Sequence, residues 1–461
     1  MFQSKTYVAR RKRLKSQVGS GLILFLSNGE SPMNYPANTY PYRQESSFLY
    51  FFGLNSPDLA AVLDIEENRE TIFGNDIGID EIVWMGPQPS LKERSRKIGI
   101  ADTQPFEKLK SILHTALQQG RKIHYLPPYR PEKTILIETL LGIRPAAAKQ
   151  YASRELIQAV VDQRSVKSRE EIEQIEGALT VTRNMFDLAM KCTRPGIVEA
   201  EIAGKIEGTA LSCGMRMAFP PIVTIHGETL HNPHRENRLI KGAMLLVDSG
   251  AESRLGYASD ITRTLPVNGA FSIRQKEIYE VVRRTQEAAI GAIRPGVFYR
   301  DIHLLAGRTI AQGLKELGLM RGDIDEAVNQ GAHALFFPHG IGHMMGLDVH
   351  DMEDLGETSV GYDRHTKRST QFGLSALRLA RKLRPGFVMT VEPGVYFIPA
   401  LIRQWQNEKR FPSFIRYPQV LQYLDFGGIR IEDNVLVTGT GRRILGPPIL
   451  KTITEIESRM K

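Results

Sequence analysis

Acidic side chains stand in or at the edges of strand-like runs at four places in the C-terminal two-thirds of the chain. Asp248 closes the run AMLLV and precedes Ser249-Gly250, and Asp260 follows in ASDITRTLPV. A carboxylate at the end of a buried strand is costly unless it is paired or bound to a metal. If these two runs pair as a hairpin, both carboxylates reach one end of it, although acids in such places also serve simply as turn formers. Glu392 ends the strand-like VMTVE just before Pro393-Gly394, a dipeptide that interrupts a strand. Glu432 lies inside the β-like run GGIRIEDNVLV, where alternation puts Arg430 on the same face. The bland alternative there is an edge ion pair, which contributes little. Ahead of Glu392, the stretch FFPHGIGHMMGLDVHD holds His339, His343 and His350 among Gly340, Gly342 and Gly346. So many glycines argue against a regular helix and for a loop that needs close backbone approach.

These pieces are far more specific together than singly. Four carboxylates (Asp248, Asp260, Glu392, Glu432) and the His343 imidazole are a natural shell for two divalent cations roughly 3.5–4 Å apart. Oxygen-rich ligation favours Mn²⁺ or a similar ion over a thiolate-type zinc site. A metal pair of this kind polarises carbonyls and acidifies water to a nucleophile near neutral pH.

The elements that would position these residues can be read from periodicity. From Leu22 to about Leu141, short strand-like runs (LILFLS, AAVLDI, EIVWMG, KIHYLPP) alternate with helical ones such as PFEKLKSILHTALQQG. That alternation predicts an α/β N-terminal domain. Ser168 with Glu171 forms a capping-box pattern, predicting a long amphipathic helix to about Cys192, ended by Arg194-Pro195-Gly196. The domain boundary is placed just before it, giving domains 1–160 and 161–461. A second helix, IYEVVRRTQEAAIGAI, stops at Arg294-Pro295-Gly296. A faint internal echo links AMLLVDSG/ASDITRTLPV to FVMTVEPGVYF/GIRIEDNVLV: each half is an acid-ended strand followed by a second acid-bearing strand.

The bulk composition is that of an ordinary globular chain: 461 residues, 42% hydrophobic and 24% charged, enough for two or three domains. Two cysteines, Cys192 and Cys213, make no disulfide framework and read as buried thiols in a reducing compartment. No run is long enough for a membrane span, so the expected setting is cytoplasmic. The net charge of +9 comes with no zinc-finger, RNP or helix-turn-helix pattern, so no nucleic-acid partner is expected. The basic run Arg10, Arg11, Lys12, Arg13 and Lys15 reads as a solvated face.

The series VDSG, SDITRT, HGIGH, TVEPG and GIRIED, in that order from about Arg164 onward, resembles the creatinase/methionine-aminopeptidase superfamily with the pita-bread fold. Within it the chain is similar to the proline-specific peptidases, Xaa-Pro dipeptidase and Xaa-Pro aminopeptidase. YPYRQESSFLYFFGLNSPD (Tyr40 to Asp58) resembles the domain that precedes the catalytic one in these enzymes, so the likeness covers nearly the whole chain. The implied architecture is α/β (α+β): an N-terminal α/β creatinase-like domain, then a pita-bread metallopeptidase domain.

The resemblance also implies roles. Asp248 would bind one metal, His343 and Glu392 the other, and Asp260 and Glu432 would bridge both. Glu392 would also be the general base. His231, in TLHNPH, matches a substrate-binding histidine, and His350 matches one that steadies the carbonyl oxygen or the tetrahedral intermediate. Arg430 matches an arginine that engages a substrate carboxylate or the bridging acid, and His339 matches a supporting histidine. Substrates would be peptides with proline at the second position, whose ring nitrogen carries no N–H after the scissile bond. A homodimer is usual among such enzymes. The long segments after His350 and between Glu392 and Glu432 resemble prolidases more closely, which favours the dipeptidase; the aminopeptidase remains the alternative. A metal-free creatinase-like amidinohydrolase and a catalytically dead binding module are disfavoured by the complete ligand set. Glu353 departs from the family pattern, which leaves that loop's path open.

Overall fold

The apolar run Leu22–Leu26 is buried at every position, so it must be covered on both faces. It is the centre of a five-stranded sheet in a computed structural model that describes all residues, Met1–Lys461. In spatial order the strands are Asp102–Gln104, Arg69–Phe73, Ala60–Asp64, Leu22–Leu26 and Ile123–Tyr125. The three inner strands pair antiparallel and the two outer pairings are parallel. Leu22, Leu24, Val62 and Phe73 pack with Leu109 and Leu113 of the helix Lys108–Gln118 and Ile137 and Leu140 of the helix Pro131–Leu141. On the other face Phe25 meets Phe51 and Phe52 at ring separations of 5.2 and 5.5 Å.

Two expectations fail in this unit. The run EIVWMG is not a strand. It lies in the helix Ile79–Met85, in which no residue is buried and Trp84 is 87% exposed. The Glu81 carboxylate accepts from Gly78 N at 2.8 Å, so helix capping overrides the β-like composition of the side chains. The basic run is also not simply a solvated face. Arg10 and Arg11 are buried: Arg11 donates to Phe51 O (3.0 Å), Ile98 O (2.9 Å) and Glu70 Oε2 (2.8 Å). A guanidinium fork satisfied on three sides can be buried where a lysine could not.

The chain divides into two compact units, Met1–Arg164 with Met352–Ser359, and Ser165–Asp351 with Val360–Lys461. In the second unit the capping box forms as predicted, with Ser168 accepting from Glu171 N, and starts the helix Arg169–Cys192. That helix packs on Glu199–Ser212, and Ile273–Ala292 packs on Tyr299–Glu316. Cys192, at the helix end, is half-buried, and Cys213 is exposed, so neither is the fully buried thiol expected.

Each helix pair accompanies a hairpin. Met244–Ser249 pairs antiparallel with Ile261–Pro266, setting Asp248 opposite Thr262. Val388–Val391 pairs with Asp433–Val437, and Gly394–Tyr396 with Gly428–Arg430. Glu392 and Glu432 both fall in the break between these two ladders, so Glu432 is not inside a continuous strand. The reason is visible in its backbone: Glu432 N donates to Thr262 O at 3.1 Å, joining the first hairpin instead of continuing its own ladder. The unit thus repeats one plan, helix pair plus acid-bearing strand pair; the sequence echo pointed to the strands and not to the helices.

Candidate metal centre and active-site cavity

The two hairpins are fastened to each other through the residues beside the acids. Asn434 Nδ2 donates to Asp260 O at 2.6 Å, and its Oδ1 accepts from Asp260 N at 3.0 Å. Thr390 Oγ1 accepts from His343 N at 3.1 Å, while Thr390 N donates to His343 O at 3.0 Å. Two close approaches require glycine. A Cβ on Gly250 would lie 1.7 Å from Ser259 O, and one on Gly342 would lie 2.2 Å from Thr390 O.

These fastenings converge the acids. Ligand atoms of Asp260, His343 and Glu432 all lie within 4.8 Å of one another. His343 Nε2 is 3.4 Å from Asp260 Oδ2 and 3.6 Å from Glu392 Oε1. Its Nδ1 sits 3.0 Å from Met344 O, which can only accept, so the proton is on Nδ1 and the Nε2 lone pair faces the carboxylates. Asp248 joins through Arg430, whose Nη2 donates to Asp248 Oδ2 at 2.6 Å. Arg430 also donates from Nη1 to Tyr396 Oη (3.0 Å) and from Nε to Thr262 Oγ1 (3.0 Å). Thr262 Oγ1 in turn donates to Glu432 Oε2 at 2.7 Å. Tyr396 Oη donates its hydrogen bond to His339 Nε2 at 2.9 Å, because His339 Nδ1 already donates to Gly340 O at 2.8 Å.

Carboxylates crowded this closely cannot all hold a full charge. Burial, then the Asp248 charge, pushes Asp260 well above the usual carboxylate range. Burial followed by Asp260 and Glu392 does the same to Glu432. Burial lifts Glu392 to about 7 against the opposing pull of His343 and Arg430. The histidines move the other way: burial and then Arg430 lower His339 to about 3, and burial and then His343 lower His350 to about 2. His231 is lowered by burial first and Arg430 second. The cavity therefore presents neutral imidazoles beside acids that are expensive to ionise.

Asp248 Oδ1, Asp260 Oδ1 and Glu432 Oε1 are buried with no hydrogen-bond partner. Buried carboxylate oxygens rarely stay so, and a multivalent cation removes both the charge crowding and the missing contacts. The donor set of four carboxylates and one imidazole suits hard-to-borderline divalent ions. The residues present fit a metal centre.

A cavity of about 420 Å³ opens onto this centre. All nine residues named from the sequence line it: His231, Asp248, Asp260, His339, His343, His350, Glu392, Arg430 and Glu432. Three further participants were missed. Thr262 and Tyr396 touch Arg430 directly, and both lie in quoted motifs, where the strand register could have marked Thr262 as Asp248's partner. Arg378 also lines the cavity, but it comes from a long segment whose path no sequence pattern fixes.

Comparison with known proteins bears on the same residues. A family model described as aminopeptidase P, N-terminal domain, matches residues 7–124. Human Xaa-Pro dipeptidase is 31% identical over 98% of this chain and 91% of its own length. Escherichia coli Xaa-Pro aminopeptidase is 30% identical over 98% of this chain and 96% of its own. Among solved structures, zinc-substituted E. coli aminopeptidase P in complex with product superposes with a TM-score of 0.81 at 30% identity, covering 100% of this chain and 98% of that one. Proline aminopeptidase P II from Yersinia pestis gives 0.82 at 29%, covering 100% and 99%. The model for metallopeptidase family M24 matches residues 173–439, the stretch that holds every acid and histidine of the cavity, and the chain belongs to that family.

Proposed function

We propose that this protein is a dinuclear-metal exopeptidase that cleaves the peptide bond before proline, with Xaa-Pro dipeptides as its preferred substrates. The observation that carries this reading is the convergence of five ligand residues, three with orphaned buried oxygens, on one cavity. Asp248, Asp260, His343, Glu392 and Glu432 would hold two divalent ions, with Mn²⁺ favoured by the oxygen-rich set. Asp260 and Glu432 would serve both ions, Asp248 one, and His343 and Glu392 the other. When bound, the ions supply Lewis-acid polarisation of the scissile carbonyl and a water acidic enough to attack near neutral pH.

The chain's own groups do the rest. Glu392, with Thr390 Oγ1 3.3 Å from its Oε1, takes up a proton at its carboxylate and returns one to the leaving proline nitrogen. His350, a neutral imidazole, donates to the carbonyl oxygen as it gains charge. His231 and the apolar wall of Phe219, Pro221, Leu230 and Val349 hold the substrate and keep water out. Arg430 fixes Asp248 and, through Thr262, Glu432; His339 supports it through Tyr396.

Arg378 favours the dipeptidase. A dipeptide ends in a carboxylate on the proline that is released, and a guanidinium in the cavity wall is suited to grip it. A longer peptide offers an uncharged amide there. The second reading, Xaa-Pro aminopeptidase, is supported by the fuller coverage of the bacterial aminopeptidase. Domains 1–160 and 161–461, a homodimer and a cytoplasmic setting complete the proposal; no helix is long and apolar enough to cross a membrane.

The test is proline release by metal-stripped protein given back Mn²⁺, with Ala-Pro and Ala-Pro-Ala as substrates. Fast cleavage of Ala-Pro alone, with a KM raised by Arg378→Ala, supports the dipeptidase. Release of Ala from Ala-Pro-Ala moves the assignment to the aminopeptidase. No metal-dependent cleavage of either removes the proline-specific reading.

A further inference from the structure

The turn from His343 to His350 carries three side chains of the cavity, His343, Val349 and His350, but has no helix or strand of its own. Its first end is held by the strand Val388–Val391: besides the two bonds to Thr390, Met345 N donates to Val388 O at 3.0 Å. Its middle is held by Gly346, whose carbonyl accepts from Ala258 N at 2.8 Å. The far end, where His350 sits, closes differently. Asp351 N donates to Met344 O at 2.9 Å, and Asp351 Oδ1 accepts from Asp348 N at 3.4 Å, so the turn folds around the Asp351 carboxylate.

That carboxylate faces an ammonium from a distant part of the sequence. Lys167 Nζ stands 2.7 Å from Asp351 Oδ2, and both side chains are 1% exposed. The packing is tight: a Cβ on Gly346 would lie 2.4 Å from Asp351 Oδ2 and 2.9 Å from Lys167 Cε. Lys167 is itself anchored, its N donating to Gly386 O at 2.8 Å just ahead of the strand that holds His343. One rigid base therefore holds both ends of the turn.

We propose that Lys167 and Asp351 are positioning residues that set the place of His350 in the cavity. A buried ion pair is weak evidence for stability, since a well-packed apolar replacement is often as stable. What such a pair does supply is a defined arrangement, because two buried charges 2.7 Å apart fix each other's place. His350 adjoins that carboxylate in the chain, so its ring, 4.3 Å from that of His343, is located by the pair. Neither Lys167 nor Asp351 lines the cavity. The inference rests on the reading of His350 as the group that meets the carbonyl oxygen.

The experiment is a double-mutant cycle on the metal-loaded enzyme. Lys167→Met/Asp351→Leu removes both charges of the pair together; Asp351→Asn, which keeps shape and an acceptor for Lys167, is the milder companion. Each is measured with and without His350→Ala, reading kcat, KM, bound metal and melting temperature. A folded, metal-replete pair variant should lose roughly 10–100-fold in kcat with KM little changed, Asp351→Asn should lose less, and neither should lower kcat further once His350 is alanine. Wild-type kcat in either folded variant, or full additivity with His350→Ala, overturns the proposal. An apolar variant that fails to fold leaves the decision to Asp351→Asn, judged the same way. Full activity in His350→Ala alone would instead overturn the assigned role of His350, so the two failures are distinct.

Discussion

Asp260 and Glu432 each carry an oxygen that nothing in the protein satisfies, and this separates them from ordinary buried acids. Replacing either with alanine should remove bound metal and activity together while leaving the fold, as metal analysis beside circular dichroism would read. Full activity in either variant would refute the assignment of these two to both ions. Thr262 gives a subtler prediction. Its hydroxyl accepts from Arg430 and donates to Glu432, so Thr262→Val keeps the shape and breaks both links. Activity should fall roughly 10–100-fold, the usual cost of disturbing a group behind a metal ligand; an unchanged rate would show the relay to be idle. The acids were legible in the sequence because each stands in or at the edge of a run of strand character, Asp248 and Glu392 just ahead of a glycine or proline. Arg378 was not, since its position depends on the path of an irregular segment. Arg10 and Arg11 were misread for a related reason: a run of cations looks solvated until the fold supplies carbonyls for two of them.

Hairpins and capped helices were the elements easiest to read, because their signals are local. Ser168 with Glu171 marked a helix start, and the two runs bearing Asp248 and Asp260, whose pairing was only conditional in the sequence, do pair. The break at Glu392 and Glu432 was half-legible: Pro393 marks one side of it, but the other depends on a bond from Glu432 N to a different hairpin. EIVWMG was illegible as a helix, since its composition favours strand and only Glu81 reaching back to Gly78 decides otherwise. The hairpin also makes an energetic prediction. Gly250→Ala puts a methyl 1.7 Å from the Ser259 carbonyl, which cannot move without carrying Asp260 with it. The expected cost is about 3 kcal/mol, typical of severe overpacking, together with loss of metal binding. A variant with normal melting and metal content would show that the turn yields more easily than its geometry indicates.

At the scale of the whole molecule, two buried histidines should make the fold sensitive to acid. His303 and His333 are buried, with rings 6.4 Å apart and no hydrogen-bond partner on any ring nitrogen. Burial, then His333, lowers His303 to about 3, and burial lowers His333 to about 4. Both folded values lie below the unfolded one near 6.5, so the folded protein favours the neutral rings. Stability is complete above pH 6.5 and falls as the pH drops below it, because only the unfolded chain takes up these protons. At pH 5 the loss should be about 2 kcal/mol for each histidine. His303→Phe, which can keep the ring contact with Phe337, should flatten the decline between pH 6.5 and 4 in a melting series. An unaltered slope would place the acid sensitivity elsewhere.

The compact unit built from Met1–Arg164 is completed by Met352–Ser359, and Asp354 of that segment lines a cavity beside the buried ammonium of Lys133. On the ribosome the two parts emerge far apart in time, since synthesis adds about 5–20 residues per second. The first unit therefore leaves the exit tunnel with one wall missing and must wait, its Lys133 pocket open, while most of the metal-binding chain is made. The last eight residues of that unit are added only after residues 165–351 of the other have been made.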